Sequence, residues 1–148
     1  MTVEIDQSNK IEKTNKNTVI GLSNDRTFTV LIPARVKRQL QEEFRKQGKP
    51  RLFVYRTFIA GVVLLLKYAK VDYRTPIFID EEYSGYERLL RSMFAEMWGG
   101  FSEEVPTIDF KRVGKKSGAH LISYKTMKGR QKPDCALSFG EIKRLVLN

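Results

Sequence analysis

"IFIDEEYSGYERLL", residues 77–90, decides how the chain is read. Ile77, Phe78 and Ile79 form a short apolar run after Pro76, and it breaks abruptly on Asp80, Glu81 and Glu82. Such a run suits a buried strand. Just beyond it, Tyr86, Leu89, Leu90, Met93, Phe94 and Met97 recur at helical spacing, which predicts a helix over 86–98. Ser84 and Glu87 have the spacing of a capping box at its start. Glu81 and Glu82 suit the positive end of the helix dipole. Asp80 stands at the carboxyl end of the strand, where open α/β sheets bind ligands. It is therefore the best candidate site residue, with a plain turn aspartate as the alternative reading.

The flanking segments extend the pattern on both sides. "NTVIGLSNDRTFTVLIP", residues 17–33, offers two β-rich runs, 18–22 and 27–32, around the turn-forming "SND", and reads as a hairpin. Val36, Leu40 and Phe44 then define one face of an amphipathic helix that Gly48 ends. Residues 51–70 read as a helix apolar on most sides, although 51–55 also suit a strand. "TIDFKRV" alternates like a strand, "SGAHLISYKTM" suits a helix, "GRQKPD" a loop and "SFGEIKRLV" a closing helix. The first 16 residues are polar and aperiodic and read as a disordered tail. These elements predict a single α/β domain over 17–148: a mixed sheet with an N-terminal antiparallel hairpin and helices packed on it.

Charge points to a partner. The chain of 148 residues carries 27 Lys and Arg against 17 Asp and Glu, a formal net charge of +10. That surplus favours a polyanion, above all nucleic acid, although it also serves solubility. Much of it falls between Phe110 and Pro133, which holds Lys111, Arg112, Lys115, Lys116, Lys125, Lys128, Arg130 and Lys132 with no acidic residue among them. These eight are the expected nucleic-acid-binding residues. "GKKSGAH" leads into a helix whose free N–H groups suit a phosphate, but its spacing is not that of a nucleotide P-loop.

Other site classes recede. One Cys, Cys135, and one His, His120, exclude an intramolecular disulfide and a zinc site of the Cys/His type. His120 is either a packed, hydrogen-bonded residue or a phosphate contact and proton shuttle. The opening residues lack the apolar core of a secretory signal. "TFIAGVVLLL" falls short of the roughly 20 residues a spanning helix needs. Together these predict a soluble cytoplasmic protein with no transmembrane segment.

The element order and the strand–Asp–helix break at Asp80 resemble the ribonuclease H-like superfamily over residues 17–147. That resemblance implies a nuclease in which carboxylates from the first strand, the end of the fourth strand and a late helix bind two divalent metals. Asp80 takes the fourth-strand position. The first strand as read here, "TVIGLS", has no acid, and the nearest is Asp25; the late helix offers His120, with Asp134 in the loop beyond. The resemblance thus implies Mg²⁺ or Mn²⁺ held by Asp80 and Glu82, with Asp80, Glu82 and His120 as catalytic residues. Residues 26–70 are also similar to ribbon-helix-helix modules, which implies a dimeric DNA-binding regulator using Arg26, Thr27 and Thr29. A basic scaffold protein is the third reading.

Overall fold

The computed structural model of the protein describes residues 2–147. The strands are β1 (Val3–Ser8), β2 (Thr18–Ser23), β3 (Thr27–Ile32), β4 (Ile77–Asp80), β5 (Ile108–Lys111) and the short β6 (Cys135–Ala136). The helices are α1 (Ala34–Lys46), α2 (Phe53–Tyr68), α3 (Glu87–Trp98), α4 (Gly118–Met127) and α5 (Phe139–Val146), with one 3₁₀ turn at Pro50–Leu52. The strands form one mixed sheet in the order β5-β4-β1-β2-β3-β6. β2 runs antiparallel to β1 and β3, whereas β4 runs parallel to β1 and β5 parallel to β4. The fold is α/β with a mixed sheet, as the sequence pattern predicts.

The tail assignment is corrected. Residues 3–8 form β1, which lies between β2 and β4 in the interior of the sheet, and Val3 and Ile5 are fully buried. The segment looks polar because Glu4, Asp6, Gln7 and Ser8 sit among only two apolar residues. A strand buried on both faces normally reads as a continuous apolar run. Here the sheet carries polar groups at its centre, and these prove to belong to the candidate site.

Two faces of the sheet are covered unequally. Ile20 and Ile32 meet α2, where a Cβ added at Gly61 would come within 2.6 Å of Ile20 Cδ1. Around α2 pack α1, α3 and α5, so this side holds the main core. From Phe58 to Leu66 every residue of α2 is buried. Each large apolar side chain so buried contributes roughly 1.5–3 kcal/mol. On the opposite face α4 lies over β1, β2 and β3. Gly21 makes its close approach possible: a Cβ there would stand 3.0 Å from Ile122 Cγ2 and 3.1 Å from the Ala119 carbonyl oxygen.

Other expectations change locally. Tyr86 occupies the N-cap of α3 and makes no side-chain cap bond, so Ser84 and Glu87 form no capping box there. Gly85, at φ 88°, breaks the geometry between them. The capping box of this chain belongs to α5, between Ser138 and Glu141. Residues 51–55 are helical throughout. Residues 27–32, which the ribbon-helix-helix reading gives to a ribbon shared by two chains, pair within this chain to β2 along their whole length and to β6 at Val30 and Leu31. That removes the free ribbon the reading requires. Among the described residues no helix is long and apolar enough to cross a membrane.

Candidate active site

Register creates the site. Val3, Glu4 and Ile5 of β1 lie opposite Ile77, Phe78 and Ile79 of β4 in parallel pairing. One further step of that register sets Asp6 beside Asp80. Side chains alternate faces along a strand, so both carboxylates point to the α4 side while Ile5 and Ile79 enter the core. Glu82, two residues beyond Asp80, joins them. One carboxylate oxygen from each of Asp6, Asp80 and Glu82 lies within 4.8 Å of the other two.

Each acid is held in place. Asp6, only 5% exposed, accepts from the Gln7 N–H at Oδ1 (2.8 Å) and meets Nδ1 of His120 at Oδ2 (2.7 Å). Asp80 accepts from the Val113 N–H at 2.9 Å, which ties the end of β4 to the segment after β5. Lys10 reaches Glu82 at 3.9 Å. His120 comes from the first turn of α4, where Ser117 caps the helix by accepting from the His120 N–H at 3.0 Å. An ionised Asp6 makes Nδ1 the donor, leaving Nε2 free to accept a proton or bind a cation.

Crowding three acids together has an electrostatic consequence. Burial, a hydrogen bond to Asp80 and the charges of Asp80 and Asp6 push the Glu82 carboxyl up to about 8. Burial raises Asp6 as well, against the opposing pull of its bond to His120. Like-charged carboxylates sharing a site cannot all ionise freely, and a proton is retained unless a cation takes its place. Clustered carboxylate oxygens are the donor set of hard divalent cations such as Mg²⁺ and Mn²⁺. The residues therefore fit such an ion, with Asp6, Asp80 and Glu82 as ligands and His120 lining the same cleft.

That cleft has a volume of about 440 Å³ and is lined by Asp6, Gln7, Asp80, Glu82, Arg112, Gly114, Lys115 and His120. Asp80, Glu82, His120, Arg112 and Lys115, all singled out in the sequence, thus meet in one place. Gln7 adds a polar group that is 6% exposed: its amide nitrogen donates to Tyr83 Oη at 3.2 Å, and its Oε1 has no partner among the described residues.

The remaining basic residues divide. Lys111 pairs with Glu4 at 3.6 Å and lies over the Phe78 ring. Lys116, next to Lys115 in the chain, is exposed and does not line the cleft. Lys125, Lys128, Arg130 and Lys132 are also exposed, but at and beyond the far end of α4. At about 1.5 Å per residue, Lys125 stands about 8 Å and Lys128 about 12 Å along the helix from His120. Asp134 caps the opposite sheet edge by accepting from the Thr29 N–H at 2.8 Å, and Asp25 is exposed in the β2–β3 turn. Neither approaches the cluster. Cys135 is half-buried with its thiol pushed up by burial, and Trp98 stacks on Phe94 while donating to the Glu104 carbonyl. Asp6 is the member of the acidic cluster that the sequence reading missed; the Val3–Ile5 alternation was its one available signal.

Compared with known proteins, the chain matches no family model, no curated protein and no solved structure.

Proposed function

We propose that the protein is a divalent-cation-dependent phosphodiesterase acting on nucleic acid, with ribonuclease H-like architecture. One observation carries the reading: Asp6, Asp80 and Glu82 bring carboxylate oxygens within 4.8 Å of one another, at neighbouring parallel strands in the interior of the sheet. The architecture is supported by three antiparallel strands followed by β4 and β5 laid parallel on the β1 side. With β1 in place, the first strand supplies an acid, the fourth strand a second, and the late helix α4 supplies His120 where the superfamily has a carboxylate.

In this reading Asp6, Asp80 and Glu82 hold Mg²⁺ or Mn²⁺, whose chemistry when bound is to polarise the phosphoryl oxygens and acidify water. Arg112 and Lys115, on the cleft wall, draw the phosphate in and offset the negative charge of the acids. Asp6 orients His120 so that Nε2 faces the cleft as a proton acceptor. A water oxygen attacks phosphorus and its proton passes to Nε2; the phosphorus–oxygen bond to the leaving sugar oxygen breaks, and that oxygen takes a proton from solvent water to leave as the alcohol. A cytoplasmic setting, where nucleic acid and Mg²⁺ coexist, suits this activity.

The test is a cleavage assay on labelled single-stranded, duplex and branched DNA and RNA, with Mg²⁺, Mn²⁺ or EDTA. Cleavage should require the cation and vanish in Asp6→Asn and Asp80→Asn while both variants still bind the substrate. Absence of cleavage on every substrate, together with no Mn²⁺ binding by calorimetry, overturns the proposal.

A further inference from the structure

A second cleft shares a wall with the acidic one. Tyr83 follows Glu82 directly in the chain, and its hydroxyl accepts from the Gln7 amide, a group that lines the acidic cleft. On its other side Tyr83 lines a hollow of about 500 Å³ together with Glu12, Arg51, Tyr55, Tyr86 and Leu89. Lys10 stands between the two, 3.9 Å from Glu82 and 6.0 Å from the centre of the Tyr83 ring.

The rings in this hollow are fixed as a platform. Tyr55 stacks on Tyr86 with centroids 4.5 Å apart and planes at 21°, and meets Tyr83 edge-on at 5.5 Å. Phe58 backs Tyr83 from the core at 5.3 Å. Tyr86 is nevertheless 45% exposed and Leu89 37%. Tyr55 stacks on one face of the Tyr86 ring, and Tyr86 remains exposed with that face covered. An aromatic face held rigid by a second ring, and left open to solvent beside a cationic side chain, has the composition of a base-stacking surface. The Glu12 carboxylate, hydrogen-bonded to Tyr83 Oη at 3.3 Å, disfavours a phosphate inside the hollow while offering an acceptor to a base amino group.

Resting on the phosphodiesterase reading, we propose that the Tyr55–Tyr86 platform takes an unpaired base adjoining the phosphate held at the acidic cleft. The substrate class is then nucleic acid with unpaired nucleotides, as single strands or at branches, rather than continuous duplex. The backbone passes Lys10 between the clefts, and the base stacks on the free face of Tyr86. A duplex keeps its bases stacked on one another and cannot present one to this surface without flipping it out.

The test uses the full chain and a fluorescein-labelled 12-nucleotide single strand, with a blunt duplex of the same sequence for comparison, read by anisotropy in Ca²⁺. Tyr86→Ala should weaken single-strand binding about tenfold with duplex binding unchanged, the scale of one lost base–aromatic stack. Tyr86→Phe, which keeps the ring, should restore it. A thermal melt within about 3 °C of the parent confirms that Tyr86→Ala is folded. Single-strand affinity unchanged in a folded Tyr86→Ala overturns the proposal, and so does loss of self-association in that variant with oligonucleotide binding intact, which would give the platform to a second copy of the chain. Metal-dependent cleavage that ignores Tyr86 defeats the platform alone. Tyr86-dependent binding without cleavage on any substrate defeats the phosphodiesterase and leaves the platform standing.

Discussion

Nδ1 of His120 lies 2.7 Å from Oδ2 of Asp6, joining the first turn of α4 to a strand in the interior of the sheet. The two residues are 114 positions apart, and the glycine opposite Asp6 in the β1–β2 register, Gly21, is what lets the helix come down onto that strand. Site geometry and helix packing are therefore one problem in this fold. A change that lifts α4 disturbs the imidazole before it disturbs the carboxylates.

Gly21→Ala tests that coupling. Its Cβ would stand 3.0–3.1 Å from Ile122 Cγ2, the Ala119 carbonyl oxygen and Ser123 Cβ, and the carbonyl belongs to helix backbone that cannot turn aside. Overpacking of this kind costs about 1–3 kcal/mol. The variant should unfold at lower denaturant, and its cleavage rate should fall well beyond what the loss of folded protein explains. Metal affinity, measured by Mn²⁺ calorimetry, should change little, since β1 and β4 keep their register.

The acid cluster should cost stability when no cation is bound. Asp80→Asn removes a charge that raises both Glu82 and Asp6, while an amide oxygen can still accept from the Val113 N–H. In EDTA the variant should therefore be as stable as the parent or more so, by about 1 kcal/mol, as expected when strained site residues are relieved. Added Mg²⁺ should raise the melting temperature of the parent and not that of the variant, because only a bound ligand shifts the unfolding equilibrium. Equal Mg²⁺ shifts in both proteins would show that the cation binds elsewhere.

Lys37 gives a pH dependence remote from the site. Its side chain is fully buried on α1, with Nζ donating to the Lys13 carbonyl at 2.7 Å and Thr18 Oγ1 at 2.8 Å. Burial lowers it from 10.5 to about 8. Between those two values the unfolded chain binds the proton more tightly, so stability rises with pH. Below pH 8 both states are protonated and the penalty, on the order of 3 kcal/mol, is present in full. Glu82, held at about 8, and the raised Cys135 and Tyr83 act in the opposite sense, Tyr83 only above about pH 10, so pH 8–10 is the window in which the parent and Lys37→Met are compared. Urea midpoints of the parent should therefore climb relative to those of Lys37→Met across it, the difference between the two proteins isolating Lys37 from Glu82 and Cys135.

Much of this fold is legible in the sequence because its helices and its hairpin obey single periodicities. The helix over 86–98 and the strands at 18–22 and 27–32 are examples. What is illegible has a common cause. β1 carries the buried acid of the site, so its pattern departs from that of an interior strand, and a sequence reading discards the segment that matters most. β6 is two residues long and exists only because β3 offers it an edge. The capping pattern at Ser84 and Glu87 fails because Gly85 takes a left-handed turn between them, whereas the same chemistry at Ser138 and Glu141 succeeds. Asp80, Glu82 and His120 were identifiable singly; their convergence needed the β1–β4 register.

Salt dependence separates the basic residues that serve the cleft from those that do not. Arg112 and Lys115 line it, whereas Lys111 is engaged by Glu4 at 3.6 Å and by the Phe78 ring. Each phosphate contact releases counterions, so removing one lowers the slope of log affinity against log salt by about 1 for duplex DNA and about 0.7 for a single strand. On a single-stranded oligonucleotide in Ca²⁺, Arg112→Ala with Lys115→Ala should therefore lower the slope by about 1.4, again from those per-contact values. Lys111→Ala should change it less, because its charge is already paired with Glu4. A double variant at Lys125 and Lys128 reports on reach: about 8–12 Å along α4 is about two nucleotides of an extended strand, so its slope should fall for oligonucleotides that extend past the cleft and not for the shortest ones. Equal losses at both lengths would mean that the strand approaches the cleft along α4 from the outset, and would reverse the polarity of the path drawn here past Lys10 and Tyr86.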